Sequence, residues 1–455
     1  MKERNDSFVG VPGAMTNISL AERSIISSTP IYRVLRSPLA MLLVALAVRL
    51  VVMNHMQSFH ISAADDHFRF GFETGRIARS IASGEGFSSP LVKPTGPTAW
   101  LPPAYPYLLA GIFKIFGIYT SASALCALIL NSLFSALTCV TIFLIGRKAF
   151  GLEAATCAAW IWAFFPYAVY WSIGWVWGIS LSAFMFSVTL LVTLELEHCN
   201  TVKTWLAFGL LWGIVALTDT VFLAMLPFVA GWLVYRLAHQ GVALATRLGA
   251  FTLAFVAVLS PWLVRNYVTF GKWGLIRSNF GVELRVGNYE NSTGLSAGRE
   301  IHPADNEIEQ DKLREMGELA YASAKKREAL EFIAAQPETF LWLTLKRVYY
   351  FWTGTPQLLQ IFRLSGRFVA ARYVLFTSIS VLAFLGLFLA FRNRVQAAPL
   401  FAVALVVFPL VYYVTHPTPR YRHPIEPAMV LLVSYAITEF SRQSFQNLGR
   451  WHRES

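Results

Sequence analysis

Residues 119–146 read YTSASALCALILNSLFSALTCVTIFLIG and contain no Asp, Glu, Lys or Arg. A bilayer core takes about 20 apolar residues in a helix, so this run can cross it. Working outward, apolar runs precede it near 38–54 and 104–117. Others follow near 152–170, 174–194, 203–219, 221–237, 247–264, 368–391, 398–414 and 424–440. The 104–117 run is short for a crossing and reads as re-entrant or interfacial. The pattern predicts about ten crossings.

Composition agrees. The chain has 455 residues, 55% hydrophobic and 14% charged, where a soluble domain carries about a quarter charged residues. The net charge of +12 would suit nucleic acid in a soluble protein. Here the basic residues collect in short loops between apolar runs, where Lys and Arg set orientation, so no nucleic-acid partner is called for. Cys126, Cys139, Cys157 and Cys199 form no CxxC pair, and neither a zinc site nor a disulfide framework is suggested. The expected fold is an all-α polytopic membrane protein whose surroundings are membrane lipids.

The positive-inside rule orients the chain. With residues 1–37 as a cytoplasmic tail, the inner loops carry Arg147, Lys148, Lys203, Arg236, Arg247, Arg392 and Arg394. The closing tail, 441–455, carries Arg442, Arg450 and Arg453. Within the transmembrane domain, 38–440, the outer face then receives 55–118, 265–367 and 415–423. These segments are rich in carboxylates, Gly, Pro and Asn, so the chemistry is expected there.

The first outer segment contains ADDHFRFGFETGRIARSIASGEGFSSPLVKPTGPTAWLPPAYP, residues 64–106. Asp66 and Glu73, seven apart, share one face of a helix, and Glu73 neighbours Arg76. A partly desolvated carboxylate near an arginine can be poised as a general base; an interfacial helix with solvated charges fits the same pattern. Residues 94–106 carry five prolines. Proline fixes the backbone and removes donors. Non-helical backbone at membrane depth is tolerated where it is buried in protein or lines a cavity. Trp100 and Tyr105 are placed to stack on a sugar ring or to serve as interfacial aromatics.

Arg265, Asn266 and Tyr267 close an apolar run on the outer side. An arginine fork matches phosphate oxygens, and Asn266 and Tyr267 can bond sugar hydroxyls; a helix-end arginine snorkelling to headgroups is the plain alternative. The turn GNYENSTG, 287–294, offers Asn288 on the acceptor side. Residues 295–340 suit a small amphipathic helical lid. Lys346 and Arg347 lie among interfacial aromatics, which suits an anionic headgroup or an ordinary anchor helix. The last outer segment packs His416, Arg420, Arg422 and His423 into HPTPRYRHP. Cations there run against the positive-inside trend and call for an anionic partner. Asp219, in LTDT, is a second-rank candidate.

Taken in order, the acidic helix, GEGFSSP, PTAWLPPAYP, FKIFG, PWLVRNYVTFGKWGLIRSNFGVELRVGNYENSTG and THPTPRYRHPIEP make the chain resemble the GT-C superfamily of membrane glycosyltransferases. The likeness is narrowest to bacterial relatives of dolichyl-phosphate-mannose–protein mannosyltransferases and of the lipid A aminoarabinose transferase. It implies a GT-C-like helix bundle in a bacterial inner membrane, with outer-face loops carrying short amphipathic helices. It also implies a polyprenyl-phosphate sugar donor, a glycan, lipid or protein acceptor, and an acidic catalytic base in the first outer segment. The commoner position of that acid is Phe70-Gly71 here, so Glu73 and then Asp66 are the expected bases. Arg265, Arg420, Arg422, His423, Lys346 and Arg347 are expected on the donor phosphate. Trp100, Tyr105, Asn266, Tyr267 and Asn288 are expected on sugar or acceptor.

The expected reaction is an inverting displacement at the anomeric carbon. No cofactor is called for, since the leaving group is already a phosphate and no Asp-x-Asp metal motif is present; a divalent metal stays open. A flippase of lipid-linked sugars is the alternative. It shares the apolar spans and basic lipid contacts, but it predicts paired broken helices and mid-membrane charges.

Overall fold

The structure, a computed structural model, describes residues 30–61, 69–238, 243–295, 300–355 and 366–454. Among these residues the secondary structure is helical, apart from an isolated bridge between Ser88 and Pro97. In chain order the helices are α1 Pro30–Leu35, α2 Pro38–Met56, α3 Glu73–Ala82, α4 Ala104–Phe116, α5 Ser121–Ala149, α6 Leu152–Phe164 and α7 Pro166–Ile173. Next come α8 Ile179–Leu196, α9 Val202–Thr218, α10 Leu226–Leu237, α11 Leu244–Phe270 and α12 Phe280–Gly287. The remainder are α13 Glu307–Met316, α14 Glu318–Ala335, α15 Pro337–Thr353, α16 Gly366–Arg392, α17 Ala398–Val406, α18 Leu410–Val414, α19 Pro419–Arg422 and α20 Glu426–Glu454.

Five of these are long and apolar enough to cross a membrane: α2, α5, α8, α11 and the 370–392 part of α16. The bent pair α6–α7 adds a sixth when its two helices are counted as one broken span. Other runs form shorter apolar helices, Ala104–Phe116, Val202–Thr218, Leu226–Leu237 and Ala398–Val414. The run at 221–237 opens as a 3₁₀ turn, Thr220–Ala224, rather than as helix. The chain is a multi-pass membrane protein with several interrupted spans.

One interruption explains a charge inside the membrane. Pro166 has no N–H, so α6 stops and α7 departs at 45°. Arg49 on α2, fully buried, reaches the carbonyls left at the break, 3.1 Å from that of Ala163 and 3.3 Å from that of Trp162. Unsatisfied backbone groups are costly in lipid, and the guanidinium supplies donors where the helix cannot. Arg49 thus serves the fold.

Two of the segments expected at the outer face pack on one another. Leu91 and Trp100 from the first share an apolar cluster with Val282, Val286, Leu313 and Tyr321 from the second. The proline-rich stretch is pinned from both sides. Arg265 donates to the carbonyls of Thr98 (2.6 Å) and Phe87 (2.7 Å). The buried Glu318 accepts from Ala99 N–H (2.7 Å), from the Ser278 hydroxyl (2.7 Å) and from the Thr98 hydroxyl. A segment that cannot make its own ladder is thereby fixed as a wall.

Candidate functional site

The wall closes around a cavity of about 470 Å³. Its lining draws on six parts of the chain, and its carboxylate, imidazole and guanidinium members are Glu73, Asp219, Arg277, Glu283, His416 and Arg420.

Glu73 is the first residue of α3, where a carboxylate meets the positive end of the helix dipole. The turn before it is unusual. Gly71 has φ +80° and Phe72 φ +49°, a region a bulky residue rarely enters. Gly71 runs tight against the 175–178 segment: a Cβ there would fall 2.4 Å from the Trp177 ring and 2.7 Å from the Val176 carbonyl. Val176 N–H in turn donates to the Arg69 carbonyl at 2.9 Å. This pairing of 69–72 with WVWG delivers Glu73 to the cavity. Strain of this kind gathers at functional sites.

Trp177 sits in the break between α7 and α8. It stacks with Trp175 at 4.8 Å and Phe72 at 6.4 Å between ring centres. The Arg420 guanidinium lies over its ring at 4.3 Å, within cation–π range. Arg420 also donates to the Tyr421 hydroxyl at 3.3 Å. Burial works against the charge of Arg420, but the Tyr421 phenol and the Glu73 and Glu283 carboxylates outweigh it and hold its pKa up. Tyr105, on α4, donates to Asn131 Oδ1 at 3.0 Å, and Asn131 donates to the Trp175 carbonyl at 3.2 Å. A buried polar residue on α5 thus ties the tyrosine to the tryptophan turn.

The opposite wall centres on Glu283 of α12. It accepts from Asn279 Nδ2 at 2.8 Å and contacts His416 Nε2 at 2.7 Å, with Arg277 Nη2 at 3.9 Å. Burial pushes the Glu283 carboxyl up, yet the hydrogen bond and charge of His416, helped by His302 and Arg277, bring it down to about 2. Asp219 lies between α9 and the 3₁₀ turn and accepts from Val221 N–H at 3.2 Å.

Of the residues expected from sequence, Glu73, Tyr105 and Arg420 meet on this cavity, together with His416 and the second-rank candidate Asp219. Asp66 lies outside the described residues. The others stand elsewhere, and their contacts say why. Arg265 is spent on loop carbonyls, on Asn266 Oδ1 at 2.8 Å and on the rings of Phe87 and Trp262. Asn266 donates to the Leu275 carbonyl at 2.7 Å, and Tyr267 stacks on Trp273 at 4.2 Å. Trp100 is fully buried in the loop cluster. Arg347 donates to the carbonyls of Gly287, Tyr413 and Val414 and to Asn288 Oδ1, while Asn288 donates to the carbonyls of Leu284 and Val414. Lys346 rests over Trp342 at 5.4 Å. Arg422 and His423 point into the bundle and share the buried Glu426, at 3.0 and 2.6 Å.

Glu283, Arg277 and Trp177 were not singled out by the sequence reading. Two signals bear on them. Glu283 is the acid in FGVEL, a short apolar segment flanked by asparagines, and Trp177 sits in GWVWG, a glycine-bounded break within a long apolar region. Among the described residues, no group of three His, Cys, Asp or Glu side chains is placed to hold a metal ion.

Comparison with known proteins follows the geometry. The profile of the family described as dolichyl-phosphate-mannose-protein mannosyltransferase matches residues 101–264. No curated protein matches the chain by sequence. Among solved structures, the apo oligosaccharyltransferase of Archaeoglobus fulgidus is similar over 90% of this chain and 52% of its own, at 14% identity and TM-score 0.53. Apo ArnT from Cupriavidus metallidurans is similar over 89% of this chain and 61% of its own, at 17% identity and TM-score 0.50. The chain therefore spans about half to three-fifths of the length of these relatives. Its interrupted helix bundle has the fold of the GT-C membrane glycosyltransferases.

Proposed function

We propose that this cavity transfers a sugar from a polyprenyl-phosphate-linked donor to an acceptor hydroxyl or amine. The observation that carries the reading is that Glu73 and Arg420, a carboxylate and an arginine with no ion-pair partner among the described residues, line the same cavity. The match to a mannosyltransferase family profile and the fold shared with an oligosaccharyltransferase and ArnT support it.

The acceptor oxygen or nitrogen attacks the anomeric carbon as the bond from that carbon to the phosphate oxygen breaks. Glu73 takes the acceptor's proton. The electron pair leaves on the phosphate, where Arg420 opposes the growing charge. One displacement inverts the anomeric centre. Tyr105 and Trp177 form part of the wall that the sugar meets. The leaving group is a phosphate, so no general acid is required and no metal is assigned. In this reading the N-terminus is cytoplasmic, and the cavity opens on the periplasmic side of a bacterial inner membrane.

The test is to incubate purified full-length protein in detergent with polyprenyl-phosphate sugars and with lipid, glycan and peptide acceptors. Transfer is expected with wild type and lost with Glu73→Gln. Full activity in Glu73→Gln would remove Glu73 as base. Movement of intact lipid-linked sugar across vesicles without transfer would favour the flippase.

A further inference from the structure

Two charged groups on the cavity are left over by the displacement above. Glu73 and Arg420 are assigned to it, and Glu283 and His416 are bonded to each other at 2.7 Å. Asp219 and Arg277 remain, and they make no ion pair with each other.

Each is held in place by backbone. Asp219 ends α9, and its Oδ1 accepts from Val221 N–H at 3.2 Å, which turns the chain into the 3₁₀ segment. The Ser182 hydroxyl of α8 is its neighbour, and Ser182 lines the cavity with it. Arg277 lies just before α12, and its Nε donates to the Trp100 carbonyl at 3.3 Å. The next residue is tied down twice. Ser278 N–H donates to the Ala99 carbonyl at 2.8 Å, and its hydroxyl donates to Glu318 at 2.7 Å. The Arg277 Nη groups have no hydrogen-bond acceptor among the described residues, since Glu283 Oε1 at 3.9 Å is beyond hydrogen-bond range. Asp219 and Arg277 are still near neighbours. The charge of Arg277 acts on the Asp219 carboxylate, and both charges act on the Tyr412 phenol, which lines the same cavity.

A carboxylate and a guanidinium that stand near each other without touching leave a gap of defined chemistry. An ionised carboxylate only accepts hydrogen bonds, and a guanidinium only donates them. A hydroxyl does both, so neighbouring hydroxyls of a sugar ring can bridge the two and satisfy each. An ammonium only donates and would meet Arg277 as a like charge. A carboxylate only accepts and would meet Asp219 as a like charge. Like charges brought together in a site are strongly disfavoured, and discrimination of this kind works by rejection as much as by attraction.

We propose that Asp219 and Arg277 select the transferred sugar, holding an uncharged ring by its hydroxyls and rejecting sugars that carry an acid or an amine. The inference rests on the glycosyltransferase reading for its reaction. It adds the class of sugar, a neutral glycosyl group, and separates the residues that read the ring from those that act at the anomeric carbon and the phosphate.

The test is donor binding, which requires no acceptor. Three short-chain polyprenyl-phosphate sugars are compared: a neutral hexose, the same ring with a carboxylate, and the same ring with an amine. Sugar-free polyprenyl phosphate is the fourth probe. Full-length protein in nanodiscs is titrated with each at pH 7, with tryptophan fluorescence reporting occupancy. Wild type should bind the neutral donor at least about tenfold more tightly than either charged one. Asp219→Asn removes the negative charge, so the acidic donor should gain about tenfold relative to the neutral one. Arg277→Gln removes the positive charge, so the amino donor should gain by a similar factor. Opposite shifts of this kind are not produced by a residue that merely supports the fold. Sugar-free polyprenyl phosphate should bind both variants within a fewfold of wild type.

A wild type that prefers a charged sugar, or ranks the three equally, would overturn the proposal, and this ranking decides even where a variant does not fold. So would variants that weaken all three donors by one factor. A loss of sugar-free lipid phosphate in Arg277→Gln as large as the loss of neutral donor would place Arg277 on the phosphate and overturn it as well. If wild type binds none of the four lipids and transfers no sugar, the glycosyltransferase reading fails too. If it binds lipid-linked sugars without discrimination, only this inference fails.

Discussion

The guanidinium carbon of Arg420 sits 4.3 Å from the ring centre of Trp177. Among the described residues, its one hydrogen bond is to a phenol rather than to a carboxylate. Arg422, two residues on, is locked to Glu426 in the bundle. The same short loop therefore holds an arginine that is committed and one that is available.

Arg420→Ala should raise KM for the lipid-linked donor by about 10- to 100-fold, the loss of a charge-assisted contact. Arg420→Lys should recover only part of it, because an ammonium has neither the planar fork nor the same stacking on the indole. Steady-state kinetics with donor varied at saturating acceptor checks both.

Glu73→Gln keeps shape and removes the proposed base. The expected result is a fall in kcat of about 10²- to 10⁴-fold, with donor binding by fluorescence titration nearly unchanged. Loss of donor binding instead would place Glu73 in the ligand contacts and outside the proton transfer.

Gly71→Ala should damage activity more than stability. The added Cβ meets both the Trp177 ring and the Val176 carbonyl, in a backbone conformation that already disfavours a side chain. Relief requires moving the turn that carries Glu73. Thermal unfolding in detergent should register roughly 1–3 kcal/mol, while transfer should fall to near background.

Glu283 links the second wall to acid stability. Its folded carboxyl pKa, about 2, lies below the ordinary 4.5. The depressed value contributes stability that is fully present above pH 4.5. That stability is lost as pH falls from 4.5 toward 2. It amounts to at most about 3 kcal/mol. Melting curves from pH 6 to 3 should show wild type losing stability below 4.5. Glu283→Gln should start lower and show a flatter profile.

Arg347→Met should act through the fold. Arg347 ties α15 to the end of α12 and to the end of α18. Its removal takes the donor from the Tyr413 carbonyl, while those of Gly287 and Val414 keep Ser292 and Asn288 as donors, and an unsatisfied buried acceptor costs about 1–3 kcal/mol. The melting temperature should drop sharply, and donor KM in the surviving folded fraction should stay within a fewfold of wild type.

The membrane fold was legible in the sequence because lipid imposes length and composition on whole segments. The run at 119–146 became the helix Ser121–Ala149 nearly intact. The interrupted spans were harder to read, since Pro166 and the Asp219 turn divide runs that hydropathy alone joins. At the site, Glu73, Tyr105 and Arg420 could be picked out by residue type and position. The same reasoning also gathered Arg265, Arg347 and Arg422, and only coordinates separate an arginine bound to carbonyls from one facing a cavity. Glu283 and His416 are 133 positions apart, and nothing local in either segment announces the other.

One consequence concerns Trp177. Its indole touches the turn that carries Glu73 on one side and the guanidinium of Arg420 on the other. On the proposed reading, a ligand that shifts this ring moves the proposed base and the proposed phosphate contact together. Any coupling of donor and acceptor through this side chain is then reciprocal, each changing the other's affinity by the same factor. Replacing Trp177 should uncouple the two affinities as well as weaken them.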